Sequence, residues 1–254
     1  MRVDQSFIGA AGVGETTERR LWRAGVTHWD DFETRDGRLP AVDGVGPSVA
    51  DRVRKFIDGG RRALADEDVT YFAKRLPDSE CWRCYDTFRE RATFFDIETT
   101  GLDHQRSVVT TVSIHRDGDT RTLVRGDDLG ADPLRATLGE ADLLVTFNGK
   151  RFDVPFLEAC FDVDLSVPHL DLMYACRQAG LTGGLSAIER QLGIGRDRPD
   201  ISGRDAVRLW HEHARGVDGA LETLVEYNRE DTVNMVDVAE HLTTALSPPE
   251  APSP

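Results

Sequence analysis

The chain has 254 residues, with 45 Asp and Glu against 31 Lys and Arg, a net charge of −14 and an isoelectric point near 4.9. That length holds one large domain or two smaller ones with ample core. The negative balance argues against a broad electrostatic grip on nucleic acid or on a membrane, while leaving local contacts through backbone amides open. Nearly all the basic residues are arginines, the lysines being Lys55, Lys74 and Lys150. An acidic, lysine-poor surface fits a high-salt (halophilic) cytoplasm, where such surfaces stay hydrated and soluble. It also fits an ordinary acidic protein from a GC-rich genome, which favours Arg codons. The start Met1-Arg2-Val3-Asp4 lacks the apolar segment of a signal peptide. No apolar run approaches a membrane span. Cys81, Cys84, Cys160 and Cys176 are too few for a chain of this size to need a disulfide framework. A cytoplasmic location, away from the membrane, is expected.

Residues 1 to 60 repeat one pattern. Gly12-Val13-Gly14 leads into the helix-prone stretch from Glu15 to Ala24, which Gly25 stops, with Val26 as the apolar residue after the cap. Leu39 to Gly46, ending Gly44-Val45-Gly46, leads into Pro47 to Ile57, where Pro47 suits the first helical position and Val49, Val53, Phe56 and Ile57 share a face. A Gly-x-Gly turn at a helix start presents backbone N–H groups that can cradle a phosphate oxygen. The doubled turn resembles the helix-hairpin-helix of non-sequence-specific DNA-binding proteins. That resemblance implies a small all-α domain over 1–60 that holds DNA through Gly12, Gly14, Gly44 and Gly46. Arg52, Arg54 and Lys55 would add charge contacts. Many such hairpins only pack helices or bind proteins, and the sequence leaves that open.

Residues 61–91 read as a helical connector. Leu76-Pro77 breaks it, and Ser79 starts a short helix with Trp82, Tyr85 and Phe88 on one side, a stripe suited to docking on the next domain. Cys81-Trp82-Arg83-Cys84 is a CxxC without a second pair at zinc spacing, so its cysteines are read as incidental.

Residues 92–246 form the larger domain. Phe94 to Thr99 is a buried strand, on which Asp96 and Glu98 point to one side about 7 Å apart. Paired carboxylates at the end of a core strand repel unless a cation sits between them, and a hard divalent ion is the natural one. Ser107–His115 and Thr120–Arg125 follow as strands joined by a tight turn at Arg116-Asp117-Gly118, and Asp132-Pro133 starts a helix. Leu143–Phe147 is a short buried strand ending in Asn148-Gly149, with Lys150 and Arg151 placed to meet a phosphate and Asp153 at the first turn of a helix. His169–Leu172 is a short strand or helix entry, and helices are expected over Leu185–Leu192 and Arg204–His213. From Asp218 to Leu246 one long helix or two abutting ones carry an apolar stripe that passes Asn228, Asp231 and Thr232, with Tyr227 one turn before Asp231. A carboxylate on a core-facing stripe is costly unless paired or metal-bound. A hairpin meander followed by alternating helices and strands gives a mixed α/β sheet. The tail, 247–254, is proline-rich and expected to be disordered.

Asp96-x-Glu98, Asn148-Gly149 with Asp153, and Tyr227-x-x-x-Asp231 together resemble the three exonuclease motifs of the DEDD superfamily. Position 226 is Glu and position 227 Tyr, which matches the DEDDy branch. Leu185 to Ile194 and Tyr227-Asn228-Arg229-Glu230-Asp231 resemble the YprB-type ribonuclease H-like family, related to the proofreading domains of family B DNA polymerases. The resemblance spans roughly residues 92 to 245. It implies a ribonuclease H-like mixed five-stranded sheet flanked by helices. Asp96, Glu98, Asp153 and Asp231 would bind two Mg²⁺ or Mn²⁺ ions about 4 Å apart, with Tyr227 orienting the attacking water. The implied activity is 3′–5′ exonucleolytic hydrolysis of DNA, or of RNA, to nucleoside 5′-monophosphates. Asn148 and Lys150 would contact the nucleic acid, and DNA ends or junctions would be the partner. A non-catalytic nucleic-acid-binding adaptor, or an endonuclease or RNA-processing enzyme on the same fold, is the alternative.

Overall fold

Two Gly-Val-Gly turns organise the first part of the chain, each starting a helix. A computed structural model of the chain describes residues 1–32 and 41–247. They form two compact units, Met1–Arg89 together with Ser247, and Glu90–Leu246. Leu39 and Pro40 of the second hairpin stretch, and the expected tail beyond Ser247, lie outside the described residues.

In the first unit, α1 (Glu15–Arg23) and α2 (Pro47–Ala65) follow the two turns. The turns share a backbone: φ is +90° at both Gly12 and Gly44, Val13 N–H donates to the Ala10 carbonyl and Val45 N–H to the Val42 carbonyl, and Gly14 and Gly46 are the extended residues before the helices. A side chain at φ +90° would be strained, which explains the first glycine of each turn. Each turn is clamped by an arginine from the other hairpin's helix. Arg52 donates to the Ala11 carbonyl, and Arg20 to the Asp43 carbonyl at 3.2 Å. Arg52, expected to reach a phosphate, is therefore committed to the opposite turn, because its guanidinium meets a carbonyl there; Arg54 pairs with Asp51 at 2.7 Å.

The chain continues through α3 (Val69–Ala73), a 3₁₀ turn (Asp78–Cys84) and α4 (Tyr85–Phe88). Helix α2 runs on through position 60, so the boundary expected there falls inside a helix. Arg83, from the CxxC stretch, is buried between two acids: Nη1 lies 2.9 Å from Glu18 and Nε 2.6 Å from Glu80. Glu18 Oε1 in turn accepts from Ser6 Oγ and from the backbone N–H groups of Phe7 and Ile8. This buried ionic cluster ties the expected connector to the first hairpin. Phe88 packs on Phe72 within the same unit, with ring centroids 5.7 Å apart. Neither Cys81 nor Cys84 is in a disulfide, and burial pushes the Cys84 thiol well up, away from redox or thiolate chemistry.

The second unit is built on a five-stranded sheet. Its elements are β1 (Ala92–Thr99), β2 (Val109–Arg116), β3 (Asp119–Val124), α5 (Ala131–Leu134), β4 (Leu143–Thr146), α6 (Asp153–Phe161), β5 (His169–Asp171), α7 (Leu172–Gln178), α8 (Leu185–Leu192), α9 (Gly203–Ala214) and α10 (Ala220–Leu246). The spatial order is β3-β2-β1-β4-β5, with β1, β2 and β3 antiparallel in sequence and β1, β4 and β5 parallel. Alternation along β1 divides its side chains. Phe95 and Ile97 join Val112, Ile114, Leu144, Leu134, Phe156 and Leu157 in one core. Asp96 and Glu98 pair in register with Ser113 and Thr111 on the opposite face, where the single long helix α10 crosses β1, β2 and β3. The carboxyl ends of β1, β4 and β5 open on one edge of the sheet. Among the described residues, no helix is long and apolar enough to cross a membrane.

Replacing Arg83 by Met leaves Glu18 and Glu80 buried without their cation. Loss of one partner of a buried ion pair costs about 3–5 kcal/mol. Denaturant unfolding followed by tryptophan fluorescence is expected to show that loss in the transition of the first unit, which holds Trp22, Trp29 and Trp82.

Candidate metal centre at the strand ends

Two periodicities bring the acids of the second unit together. The strand period of two aims Asp96 and Glu98 at α10. The helical spacing of four stacks Tyr227 and Asp231 on the buried face of α10, together with Asn228 and Thr232. One carboxylate oxygen from each of Asp96, Glu98 and Asp231 lies within 4.8 Å of the others. Asp153 joins from the opposite side of the strand. It begins α6, is 4% exposed, and its Oδ1 accepts the Ile97 N–H at 3.2 Å, on β1 between Asp96 and Glu98. Its charge acts on both of them.

Burial disfavours every charge in this group, and the charges disfavour one another. Asp96 and Glu98 are both held well above the carboxylate range, first by burial and then by the neighbouring acids. Burial pushes Asp153 up to about 7 and Asp231 up to about 6. Opposing contacts limit the rise: the Asn228 amide at Asp96, the Ile97 N–H at Asp153, and the Arg196 guanidinium at Glu98 and Asp231. The Tyr227 hydroxyl is hydrogen-bonded to Asp231, and burial with three surrounding carboxylates raises its pKa, so the phenol keeps its proton.

Several residues that complete the centre were given no site role by the sequence. Asn228 is fully buried; its Nδ2 donates to Asp96 Oδ2 at 2.8 Å, and its Oδ1 accepts from Thr111 Oγ1 at 2.9 Å. Its place on the buried stripe between Tyr227 and Asp231 was the available signal. Arg196, from the loop after α8, contacts Asp231 through Nη2 and Glu189 through Nη1 at 2.7 Å. A loop residue has no period, so nothing in the sequence pointed to it. Asp171, the N-cap of α7, accepts the backbone N–H groups of Asn148 at 2.8 Å, Lys150 at 3.2 Å and Met173 at 3.1 Å.

That carboxylate wraps the turn after β4, where Asn148 has φ +66°, around itself. Gly149 is required there, since a Cβ would stand 2.3 Å from Thr146 Oγ1. Asn148 and Lys150 thus occupy a braced turn at the same sheet edge as the acids. Gly12, Gly14, Gly44 and Gly46 belong to the turns of the first unit.

The donor set suits a hard divalent cation. Asp96, Glu98, Asp153 and Asp231 offer oxygen atoms alone, in the arrangement that Mg²⁺ and Mn²⁺ favour over softer metals. A cation there relieves the repulsion that raises these groups.

A model of the RNase H superfamily matches residues 93–243, the stretch that holds the four acids and Tyr227. The chain belongs to the RNase H superfamily. None of the curated proteins compared matches it. Among solved structures, it is similar to one described as the apo form of a nuclease, at 21% identity over 61% of this chain and 72% of that one, with a TM-score of 0.46. The family B DNA polymerase of Pyrobaculum calidifontis aligns at 18% identity over 57% of this chain and 24% of its own, with a TM-score of 0.44. Brucella melitensis NrnC with bound Mg²⁺ aligns at 18% identity over 66% of this chain and 94% of its own, with a TM-score of 0.36. These scores are below 0.5, and membership rests on the superfamily match alone.

The raised acids make stability depend on pH in a set direction. Their folded pKa values lie above the unfolded ones, so their favourable contribution is complete below the ordinary carboxylate range and is lost as pH rises through about 6 for Asp231 and about 7 for Asp153. The substitution Asp153→Asn, whose amide oxygen can still accept the Ile97 N–H, is expected to raise the melting temperature in EDTA at about pH 8 and to change it little at about pH 4. Adding Mn²⁺ is expected to stabilise the wild type at about pH 8 and the Asp153→Asn variant much less. Scanning calorimetry at the two pH values checks both.

Proposed function

We propose that the Glu90–Leu246 unit is a metal-dependent nuclease of the DEDDy type that hydrolyses DNA from a 3′ end and releases nucleoside 5′-monophosphates. The observation that carries this reading is the convergence of Asp96, Glu98 and Asp231 within 4.8 Å, with Asp153 beside them and the Tyr227 hydroxyl on Asp231. Asp96, Glu98, Asp153 and Asp231 would hold two Mg²⁺ or Mn²⁺ ions. When bound, the ions supply a more acidic water and charge stabilisation for the leaving 3′ oxygen.

The protein's own groups have separate tasks. Tyr227, kept protonated by its surroundings, gives its one hydroxyl proton to Asp231 and would orient the attacking water through its hydroxyl oxygen. Asn228 fixes Asp96, and Asp171 fixes the Asn148–Lys150 turn, from which Asn148 and Lys150 would meet the sugar-phosphate backbone. No side chain is needed as a covalent nucleophile.

We further infer that the paired turns of the first unit act as a helix-hairpin-helix clamp on the phosphate backbone of DNA. Their shared backbone supports this, as does the open space around Gly14 and Gly46, where an added Cβ meets no atom within 4 Å.

Three variants test these roles. Asp96→Ala is expected to abolish Mn²⁺-dependent release of nucleotides from a 5′-labelled strand while leaving the circular dichroism spectrum unchanged. Cleavage at the wild-type rate would sink the assignment, and internal cuts would make the enzyme an endonuclease. Tyr227→Phe, which loses the orienting hydroxyl, is expected to lower kcat about a hundredfold. The paired change Gly14→Asp/Gly46→Asp puts a favourable N-cap at each helix and a negative charge where the phosphate would sit. It should weaken DNA binding in a gel-shift assay without lowering the melting temperature. Unchanged binding would show that these turns do not hold the backbone.

A further inference from the structure

Arg196 stands out among the buried charges of the second unit because it joins the acids of the candidate metal centre to a second, separate acid. Its side chain is 6% exposed and Glu189, from α8, is 0% exposed; their Nη1–Oε2 distance is 2.7 Å. Nη2 contacts Asp231 Oδ1, Nε lies 3.5 Å from Glu230, and the guanidinium carbon is 5.4 Å from the centre of the Tyr227 ring. Glu189 is held in its turn. Asn234 Nδ2, one turn beyond Asp231 on α10, donates to Glu189 Oε1 at 3.1 Å and to the Gly195 carbonyl at 3.4 Å. The chain of contacts runs from Asn234 to Glu189 to Arg196 to Asp231, so both its ends lie on α10.

A bridge that only stapled the loop to α8 would not need this arrangement. Two charges buried together recover little beyond their desolvation, and an apolar pair of similar volume staples as well or better. The reach to Asp231 and Tyr227 is what an apolar pair could not supply. A carboxylate that binds a cation with one oxygen keeps its orientation only if the other is held, and partners of this kind change metal affinity by about 10–100-fold.

We propose that Arg196 is a positioning residue of the metal centre, set by Glu189 and Asn234, that holds the Asp231 carboxylate and the Tyr227 ring in the geometry a divalent cation needs. This rests on the metal-nuclease reading above. Arg196 would act through Asp231, which it contacts directly.

The test separates position from charge. Removing Arg196 alone adds a net negative charge near the centre and strands Glu189. The double change Glu189→Gln/Arg196→Gln removes a net-neutral pair, so the net charge around the centre is unchanged while the fixed fork is lost. Mn²⁺ affinity of the full chain is measured at one pH from the electron paramagnetic resonance signal of free Mn²⁺. The folded double variant is expected to bind Mn²⁺ at least about tenfold more weakly than the wild type, and Arg196→Lys, which keeps the charge without the fork, to fall between them. Equal or tighter binding by the folded double variant overturns the proposal. If the double variant does not fold, Asn234→Ala decides: several-fold weaker Mn²⁺ binding is expected, and unchanged affinity overturns the proposal. Failure of the wild type itself to bind Mn²⁺ would instead defeat the metal-nuclease reading and this inference with it.

Discussion

Mutual repulsion among buried carboxylates is the constraint around which the larger unit is arranged. Asp96, Glu98, Asp153 and Asp231 come from one face of the end of β1, from the first residue of α6 and from the middle of α10. Burial and the neighbouring acids raise all four. A fold that keeps such a group forgoes stability at neutral pH unless a cation enters, which is the opposite of what packing alone would select.

The scaffold answers with contacts that hold three of the four acids from behind. Asn228, itself bonded by Thr111, holds Asp96, the Ile97 amide holds Asp153, and Arg196 holds Asp231. Most of these partners lie on α10 or on the central strands. Asp171 does the same for the turn at Asn148 and Lys150, using its carboxylate to gather three backbone N–H groups. The sheet thus supplies position and the helix supplies restraint, so that α10 could not be shifted by one residue without separating Asn228 from Asp96 and Asp231 from Arg196.

The smaller unit solves a different problem. Its helices are few and short apart from α2, and its interior includes a buried Glu18–Arg83–Glu80 cluster alongside the aromatic contacts of Trp29, Phe56 and Phe72. Arg20 and Arg52 cross-brace the two glycine turns. Basic side chains that could have faced a polyanion are spent on holding the turns in shape.

Much of this was legible in the residues. Alternation around Phe95 and Ile97 put Asp96 and Glu98 on one face of a strand; the four-residue spacing put Tyr227 and Asp231 on one face of a helix; Pro47 and Gly25 marked helix ends. Period reports which side of an element a residue occupies, and the mixed sheet with its helices followed from it. Period is silent on what lies opposite. It did not reveal that Asn228 meets Asp96 across 132 positions of chain, nor that Arg83, between two cysteines, completes the core of the first unit. Arg196 and Asp171 were invisible for a related reason, since one sits in a loop and the other reads as an ordinary helix cap. The sequence by itself determined the elements, their buried faces and the acids those faces carry, because these depend on spacing along the chain. Strand order, the partner of each acid and the site of Arg196 were decided only by tertiary structure, because they depend on which distant surfaces the buried charges can reach.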